Sequence, residues 1–348
     1  MTESVAIALD AMGGDHAPGM VIKGANIARQ RFPQARFLLF GNEGRIKPLL
    51  RKLPHLTKVS SIHHAELEVT AEDKPAVALR RRGTSMRMAC DAVESGEAAG
   101  VVSAGNTGAF MAIAKLVMKT LPGIHRPAIA GYFPTLRGES VMLDLGANVE
   151  CDATNLVEFA IMGNVFARTV LGVLHPTVGL LNVGSEEMKG HEALREASAL
   201  LRNMPMPGAF HGFVEGDDIA KGTVDVIVAD GFTGNVALKT IEGTAKLYSG
   251  FLRETFRSSL LARLGYLLAR PALNSLRTRV DPRRYNGAIF LGLNGIAVKS
   301  HGGTDAIGFA NAIGVAVDMA LHGAIEKITE DFGRLTTPPL PDVKAASL

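Results

Sequence analysis

Short apolar runs alternate with amphipathic stretches along this chain of 348 residues, and most apolar runs end in polar, glycine-rich turns. Such runs predict strands, and the stretches of helix formers between them predict helices. Strands are predicted at 4–9, 36–40, 128–133, 140–143, 177–181, 209–214, 224–229, 288–291 and 295–298, and a further short strand begins at 101. Helices are predicted at 43–52, 74–82, 85–94, 109–119, 154–171, 192–202 and 306–328. This alternation predicts an α/β fold in which a mostly parallel sheet has helices on both faces.

Two of the turns share one construction. Residues 101–110 read VVSAGNTGAF and residues 226–238 read VIVADGFTGNVAL, so that each time an apolar strand ends in a glycine turn that opens a helix. Glycines such as Gly105 and Gly108 let the backbone approach a ligand closely. A helix start also presents unpaired N–H groups and the positive end of the helix dipole. Each turn therefore predicts a seat for phosphate or another oxyanion.

Six polar loops follow predicted strands, at 10–15, 103–108, 144–148, 182–190, 215–216 and 230–235. Ligands of parallel sheets bind at the carboxyl ends of the strands, so we expect the loops to lie at one edge and form one pocket. With the turn at 301–302, they supply the candidate substrate-binding residues Asp10, Gly13, Gly14, Asp15, Ser103, Gly105, Thr107, Gly108, Asp144, Gly146, Asn148, Asn182, Gly184, Glu186, Asp230, Gly231, Phe232, Thr233, Gly234, His301 and Gly302. Whether the four loop aspartates contact a ligand or cap turns and helices stays open at this point.

Composition narrows the function classes. The chain is 47% hydrophobic with 38 glycines, enough for one large α/β domain or two lobes. A net charge of +3 without a basic tail does not indicate nucleic-acid binding. Cys90 and Cys151 lack metal-ligand or disulfide spacing, which favours a cytoplasmic setting, and Cys90 is expected to be buried and inert. The sequence shows neither a signal peptide nor a membrane span, so any membrane contact is expected to be peripheral.

Several common chemistries are excluded by their missing motifs. The chain has no dinucleotide fingerprint, P-loop, nucleophile elbow or metal-spaced histidine pair. What remains are amides, asparagines, hydroxyls and Lys189, which hold anions and polarise carbonyls but are poor nucleophiles. Such a set suits a reaction in which the protein positions and stabilises reactive substrates. The alternative for Lys189 is an ordinary solvent-facing lysine.

The motifs DAMGGD, SAGNTGA, DLGAN, NVGSEEMKG, EG, DGFTGN and SHGG occur in this order between Ala8 and about Ala324. In order and spacing they closely resemble the bacterial acyl-ACP:phosphate acyltransferases. That family often has serines after its final His-Gly, where this chain has Gly303 and Thr304.

The resemblance implies an activity. Inorganic phosphate attacks the thioester of a fatty acyl chain on acyl carrier protein, and the acyl-phosphate formed feeds phosphatidic acid and phospholipid synthesis. It also implies a two-lobed fold similar to phosphotransacetylase and the isocitrate dehydrogenases, a homodimer, and no metal or organic cofactor. We expect a single catalytic domain over 1–335, a disordered tail over 336–348, and a cytoplasmic enzyme associated peripherally with the inner face of the cell membrane.

Roles for individual groups follow as a hypothesis. The turn amides at 105–108 and 231–235, with Lys189, are expected to hold phosphate. Asn106 and Asn235 are expected to stabilise the thioester oxyanion, an effect of about 2.7–4 kcal/mol per donor.

Residues 251–284 contain eight arginines and only two acids. An amphipathic helical protrusion is expected at about 245–280, with a break near Ser258. One helical arc of about 120° collects five leucines, namely Leu260, Leu261, Leu264, Leu267 and Leu268. Three interpretations stay open: ordinary helices packed on the core or on a second copy, an apolar tip resting on anionic lipid, and a dock for the acidic carrier protein. The arginines expected at a carrier contact are Arg253, Arg257, Arg263 and Arg270.

Two other functions compete with this one. The first is an acyl-CoA-dependent phosphotransacylase. The second is a non-catalytic lipid-binding protein at the membrane surface, which leaves the polar loops unexplained.

Overall fold

One eleven-stranded sheet runs through the described part of the chain, residues 4–336, in the computed structural model. The strands are β1 (Val5–Asp10), β2 (Ala35–Gly41), β3 (Ser60–His64), β4 (Gly100–Ser103), β5 (Ala128–Pro134), β6 (Glu139–Leu143), β7 (Thr177–Leu181), β8 (Ala209–Val214), β9 (Val226–Val228), β10 (Ala288–Leu291) and β11 (Ile296–Lys299). Their order in the sheet is β3-β2-β1-β4-β11-β10-β5-β6-β9-β7-β8.

The helices lie between these strands. They are α1 (Gly19–Arg31), α2 (Glu43–Leu50), α3 (Pro54–Thr57), α4 (Pro75–Arg80), α5 (Ser85–Glu94), α6 (Thr107–Met118), α7 (Ala153–Val170), α8 (Glu192–Arg202), α9 (Gly216–Lys221), α10 (Gly231–Arg257), α11 (Leu260–Arg279), α12 (Ala306–Leu321) and α13 (Ala324–Thr336). The predicted tail lies outside the described residues from 337 onward.

Strand direction divides the sheet into two blocks. Seven of its ten pairs are parallel, and the antiparallel pairs are β11–β10, β10–β5 and β5–β6. Three reversals in succession make β6, β9, β7 and β8 run opposite to β1, β4 and β11. The predicted mostly parallel sheet is confirmed. The expectation that all six loops lie at one edge is wrong, because the antiparallel pairs reverse the chain between the two blocks.

Two layers of helices cover the sheet. Successive residues of a strand face opposite sides, and in β1 Ile7 and Leu9 join one buried cluster whereas Ala8 joins the other. The first cluster includes residues of α1, α7, α12 and α13, and the second includes residues of α4, α5 and α6. The prediction of helices on both faces is confirmed.

Element boundaries agree closely with the sequence pattern, except at the last helix. The helix predicted at 306–328 is two helices, α12 and α13, which meet at a bend of 56°. Gly323 lies at the bend with a φ of +61°, a left-handed conformation that commonly ends a helix. Within residues 4–336 no single helix is long and apolar enough to cross a membrane, and α12 and α13 reach that composition only as a bent pair.

Helices α10 and α11 form a hairpin, called here the arginine hairpin, whose turn is Ser258–Ser259. Only Gly231 and Gly234 of α10 are buried, and no residue of α11 is. The rings of Phe256 and Tyr266 lie 5.4 Å apart edge to face and join the two helices near the turn. The break predicted near Ser258 is therefore confirmed, and the hairpin packs little against the sheet.

The root of the hairpin depends on the absence of a side chain at Gly234. A Cβ there would lie 1.9 Å from the carbonyl oxygen of Asp144. We expect Gly234→Ala to lower the free energy of unfolding by about 3 kcal/mol in urea denaturation. The new Cβ would clash with a backbone carbonyl, and the backbone cannot move away without straining the fold.

The matched control is Gly243→Ala on the same helix, where a Cβ would meet nothing within 4 Å. It should raise stability by about 0.5–1 kcal/mol through helix propensity. Similar effects of the two substitutions would contradict the close approach at Gly234.

Candidate active site

A cavity of about 550 Å³ is lined on one side by residues 68–71, which follow β3, and otherwise by the loops after β1, β4 and β11. The last three strands are parallel neighbours, and Ser103 lies beside Lys299 in the register. Their loops therefore emerge side by side, and we call them the first loop group. Of the predicted site residues, the cavity is lined by Gly14, Asp15, Gly105, Asn106, Thr107, Gly108 and Gly302.

A buried carboxylate forms the floor beneath this cavity. Asp10 accepts hydrogen bonds from Ser103 Oγ at 2.6 Å, from Ser85 Oγ at 2.7 Å and from the Met12 amide at 3.3 Å. Burial raises the pKa of Asp10, and these hydrogen bonds oppose the rise. Ser103 Oγ also accepts from the Gly105 amide at 3.0 Å. Asp10 and Ser103 therefore hold the turn in place, which answers the open question for Asp10.

Gly13 lies where the two turns come closest. A Cβ on it would lie 2.5 Å from an Asp10 carboxylate oxygen and 2.7 Å from the Gly105 nitrogen. Only glycine fits at this point without displacing one of the two turns.

The start of α6 supplies free amides to the cavity. Asn106 caps the helix, since its Oδ1 accepts from the Ala109 amide at 3.0 Å. Its Nδ2 donates to the carbonyls of Ala71 and Asp73. The predicted oxyanion role of Asn106 therefore does not suit this conformation, because its side chain is engaged at both ends. The N–H groups of Thr107 and Gly108, by contrast, have no acceptor within residues 4–336.

Lys299 is the residue that the sequence analysis missed. It is the last residue of β11, is only 8% exposed, and lines the cavity as its single cationic side chain within the described chain. Its Nζ donates to the Ser300 carbonyl. Burial lowers the pKa of Lys299 to about 8, and the charges of Asp10 and Asp15 oppose the shift. The sequence signal that could have identified Lys299 was its position directly after the apolar run Ile-Ala-Val.

Hydrogen bonds from neighbouring segments fix the turn after Lys299. Buried Asn286 accepts from the His301 amide at 2.9 Å and donates to Ser300 Oγ at 2.8 Å. The Asp15 amide donates to the Gly302 carbonyl at 3.0 Å. His301 itself is exposed beside the cavity, and its Nδ1 accepts from the Gly303 amide. These contacts join the loops after β1 and β11.

The loops after β6, β7, β8 and β9 form the second loop group. Here Asp144 accepts from the amides of Ile129, Gly146, Ala147 and Asn148, and from Asn148 Nδ2. Burial raises its pKa, and the hydrogen bonds oppose the rise. Asp144 therefore organises its own loop.

The second glycine turn packs on that loop. Asp230 caps α10 by accepting from the Thr233 amide and hydroxyl at 2.8 Å each. The Gly231 amide donates to the Asn148 carbonyl at 2.7 Å. Asp230 is therefore a structural cap, and the side chains of Phe232 and Asn235 are exposed beyond it.

Lys189 belongs to the loop after β7. Asn182 Nδ2 donates to the Lys189 carbonyl at 3.1 Å, and the Lys189 amide donates to the Glu186 carbonyl at 3.0 Å. A Cβ on Gly184 would lie 2.6 Å from a Glu186 carboxylate oxygen, so the loop is tightly folded. The Lys189 side chain is exposed and does not line the cavity.

The two glycine turns therefore do not share one pocket within the chain. Four strands separate β4 from β9, or five spacings of about 4.8 Å each. The expectation that amides from both turns hold one phosphate with Lys189 is wrong for a single chain. Roles for Lys189 and Asn235 in the reaction stay predictions.

Neither cysteine offers a reactive thiolate. Burial raises the pKa of Cys90 far above neutral and that of Cys151 to about 12. Cys90 is buried in the core as expected, and no group of three or more His, Cys, Asp or Glu within residues 4–336 is placed to hold a metal ion.

Removing the buried charge at Lys299 should stabilise the fold. We expect Lys299→Met to raise the free energy of unfolding at pH 7 by about 1–2 kcal/mol. Burial lowers the pKa from 10.5 to about 8, so the unfolded wild-type chain binds more protons than the folded one between these values. The advantage of the variant should therefore be full below pH 8 and shrink toward pH 10.5.

Urea unfolding of both proteins at pH 7 and pH 10 measures this difference. A variant less stable than wild type at pH 7 would show that attraction by Asp10 and Asp15 outweighs the burial of the ammonium.

Solved structures with the same fold include phosphotransacetylases. That of Streptococcus pyogenes superposes with a TM-score of 0.63 at 17% identity, covering 93% of this chain and 94% of that one. The EutD phosphotransacetylase of Staphylococcus aureus gives a TM-score of 0.60 at 16% identity, covering 91% and 94%. At these identities the likeness shows the fold alone, and it confirms the predicted similarity to phosphotransacetylase.

Sequence comparison gives the family. Residues 5–327 match the family model described as fatty acid synthesis protein. The phosphate acyltransferase of Rhodospirillum centenum is 67% identical over 336 residues, covering 96% of this chain and 95% of that protein. The phosphate acyltransferase of Paramagnetospirillum magneticum is 61% identical over 336 residues, covering 96% of each. The chain belongs to the phosphate acyltransferase family.

Proposed function

We propose that this enzyme transfers a fatty acyl group from the thioester of acyl carrier protein to inorganic phosphate, for use in phosphatidic acid and phospholipid synthesis. One observation carries the proposal: a cavity combines the free amides of a helix start with one buried ammonium. Family membership and the names of the relatives support the acyl transfer to phosphate.

The phosphate seat is the part of the cavity between α6 and β11. The free N–H groups of Thr107 and Gly108 and the positive end of the α6 dipole attract an anion. Lys299, which is itself 8% exposed, adds a positive charge to the seat, and its attraction for an anion is stronger at a buried position than in bulk water. Phosphate near neutral pH is largely a dianion, so it needs neutralisation and orientation rather than a strong base.

Apolar side chains form another part of the wall. Met12, Val69 and Ala104 line the cavity beside the amides. The fixed N–H donors beside these side chains stabilise the negative charge that develops on the thioester oxygen. Glu68 also lines the cavity, and its carboxylate is paired with Arg45 at 3.2 Å.

The acyl donor is proposed from the arginine hairpin. The exposed side chains Arg253, Arg257, Arg263 and Arg270 make no ion pair within residues 4–336. Unpaired arginines suit an acidic protein partner better than a free nucleotide, since long-range attraction speeds association. The carrier is therefore favoured over acyl-CoA.

The hairpin tip is proposed to rest on anionic lipid at the inner face of the membrane. Its five leucines are exposed, with Leu261 at 82% and Leu264 at 55%. Exposed leucines beside arginines match the two attractions that bind a peripheral helix. The apolar side chains nearer the body, Leu247, Tyr248 and Phe251, are also exposed, and we assign them to contact with a second copy of the chain.

The reaction predicts phosphate-dependent release of thiol from acyl-ACP. We expect free carrier thiol and acyl-phosphate in equal amounts when phosphate is present, because phosphate is the nucleophile. Thiol titration with and without phosphate, together with mass spectrometry of the acyl product, measures both.

The comparison substrate is acyl-CoA with the same chain. Faster turnover with acyl-CoA would support the nucleotide-dependent alternative. Thiol release without phosphate would indicate a thioesterase, and no release from either donor would favour the lipid-binding alternative.

Membrane contact predicts a response to charge at the tip. We expect Leu264→Glu to lower sedimentation with phosphatidylglycerol vesicles about tenfold, because a carboxylate is repelled by anionic lipid and costs free energy to bury.

Leu174→Glu is the matched control, since Leu174 is 77% exposed but lies between α7 and β7, away from the hairpin. It should leave sedimentation unchanged. Equal binding of all three proteins would contradict a membrane role for the tip.

A further inference from the structure

Lys299 carries more donors than its protein contacts use. An ammonium has three N–H donors, and Nζ of Lys299 bonds only the neighbouring Ser300 carbonyl within residues 4–336. Leaving donors unpaired at a site that is 8% exposed is costly. A lysine needed only for stability would not be placed at the end of an apolar strand, facing a cavity.

The charged groups around Lys299 balance its charge without binding it directly. Asp10 and Asp15 favour its charged form, but the Asp10 oxygens are occupied by Ser85, Ser103 and the Met12 amide. The neighbouring strands β4 and β10 carry no titratable side chain.

The remaining titratable groups near the cavity are accounted for. Glu68 is paired with Arg45, and exposed His301 accepts from the Gly303 amide. Cys90 lies near Asp10, and its raised pKa keeps it a neutral thiol. Lys299 is thus the cation that lines the cavity with N–H donors left free within residues 4–336.

Resting on the proposed function, we propose that Lys299 is the general acid that protonates the departing carrier thiolate and regains its proton from the acyl-phosphate.

An oxygen of HPO₄²⁻ attacks the thioester carbon, a C–O bond forms, and the tetrahedral oxyanion collapses with cleavage of the C–S bond. The sulfur keeps the electron pair and takes a proton from the Lys299 ammonium. The P–OH of the acyl-phosphate monoanion then returns a proton to the neutral amine. The products are the acyl-phosphate dianion and the free thiol, with Lys299 charged again.

The acidity of Lys299 fits this transfer. Its pKa of about 8 is close to the ordinary thiol value of about 8.5. A general acid works best when its pKa lies near the operating pH and near that of the group it protonates. An ordinary exposed lysine would hold its proton too tightly.

Lys299→Arg separates charge from acidity, because arginine keeps the positive charge but does not release its proton. With an acyl-pantetheine thioester we expect kcat to fall about a hundredfold, with KM for phosphate changed less than about threefold. The wild-type kcat should decline above about pH 8 as the ammonium is lost, and the variant should show no such decline.

The leaving group supplies the decisive control. An acyl ester of thionitrobenzoate releases a thiolate that needs no protonation, so Lys299→Arg should lose less than about tenfold on it. Thermal unfolding confirms that the variant is folded.

An equal loss on both esters, or an unchanged alkaline decline in Lys299→Arg, would overturn the general-acid role. Absence of phosphate-dependent thiol release by the wild-type enzyme would instead contradict the proposed function.

Discussion

The parallel hydrogen bonding of β1, β4 and β11 is the constraint on which the candidate active site depends. It sets Ser103 beside Lys299 and brings the Asp10 carboxylate within 2.6 Å of the Ser103 hydroxyl. Three loops that are about ninety and two hundred residues apart in the chain then open into one cavity. A slip of one residue in β11 would turn Lys299 to the other face of the sheet. The register therefore decides where the only cavity-lining cation of the described chain lies.

The two buried charged groups of this site, Asp10 and Lys299, differ in how fully the protein satisfies them with hydrogen bonds. The Asp10 carboxylate accepts hydrogen bonds from two hydroxyls and an amide. These bonds offset the free-energy cost of removing the carboxylate from water. The Lys299 ammonium has one neutral acceptor and two carboxylates acting at a distance. Such an arrangement sacrifices stability and leaves donors free for an anionic ligand, which is typical of sites where function outweighs stability.

The sequence predicted local structure better than long-range arrangement, for a physical reason. Helix bounds such as 85–94 and 192–202 match α5 and α8 at both ends, because caps and periodicity act over a few residues. Strand direction is set largely by pairings between distant segments. The predicted strands 128–133 and 140–143, and likewise 288–291 and 295–298, follow one another without a helix, which indicates antiparallel pairs. It does not indicate that these pairs lie between two parallel blocks of the sheet. The six loops were therefore placed at one edge when they form two groups.

Individual residues show the same division. The turn around Gly105 was recognised as an anion seat because glycines and a helix start are visible in sequence. Asp144 and Asp230 could not be assigned, since a cap and a ligand use the same residue type, and only the hydrogen bonds identify them as caps. Lys299 was missed because a single lysine at the end of a strand is ordinary until its burial is known.

The two similar glycine turns serve different ends of the molecule. Helix α10 begins at the second turn and runs for 27 residues to Arg257, a length of about 40 Å. Its first turn is held where Gly231 and Gly234 pack against the loop of Asp144 and Asn148. With so little else of α10 buried, the direction of the whole hairpin is set at this root. The glycines at 105 and 108 leave space for an anion, whereas Gly231 and Gly234 let backbone pack against backbone and so set the direction in which the arginine hairpin leaves the sheet.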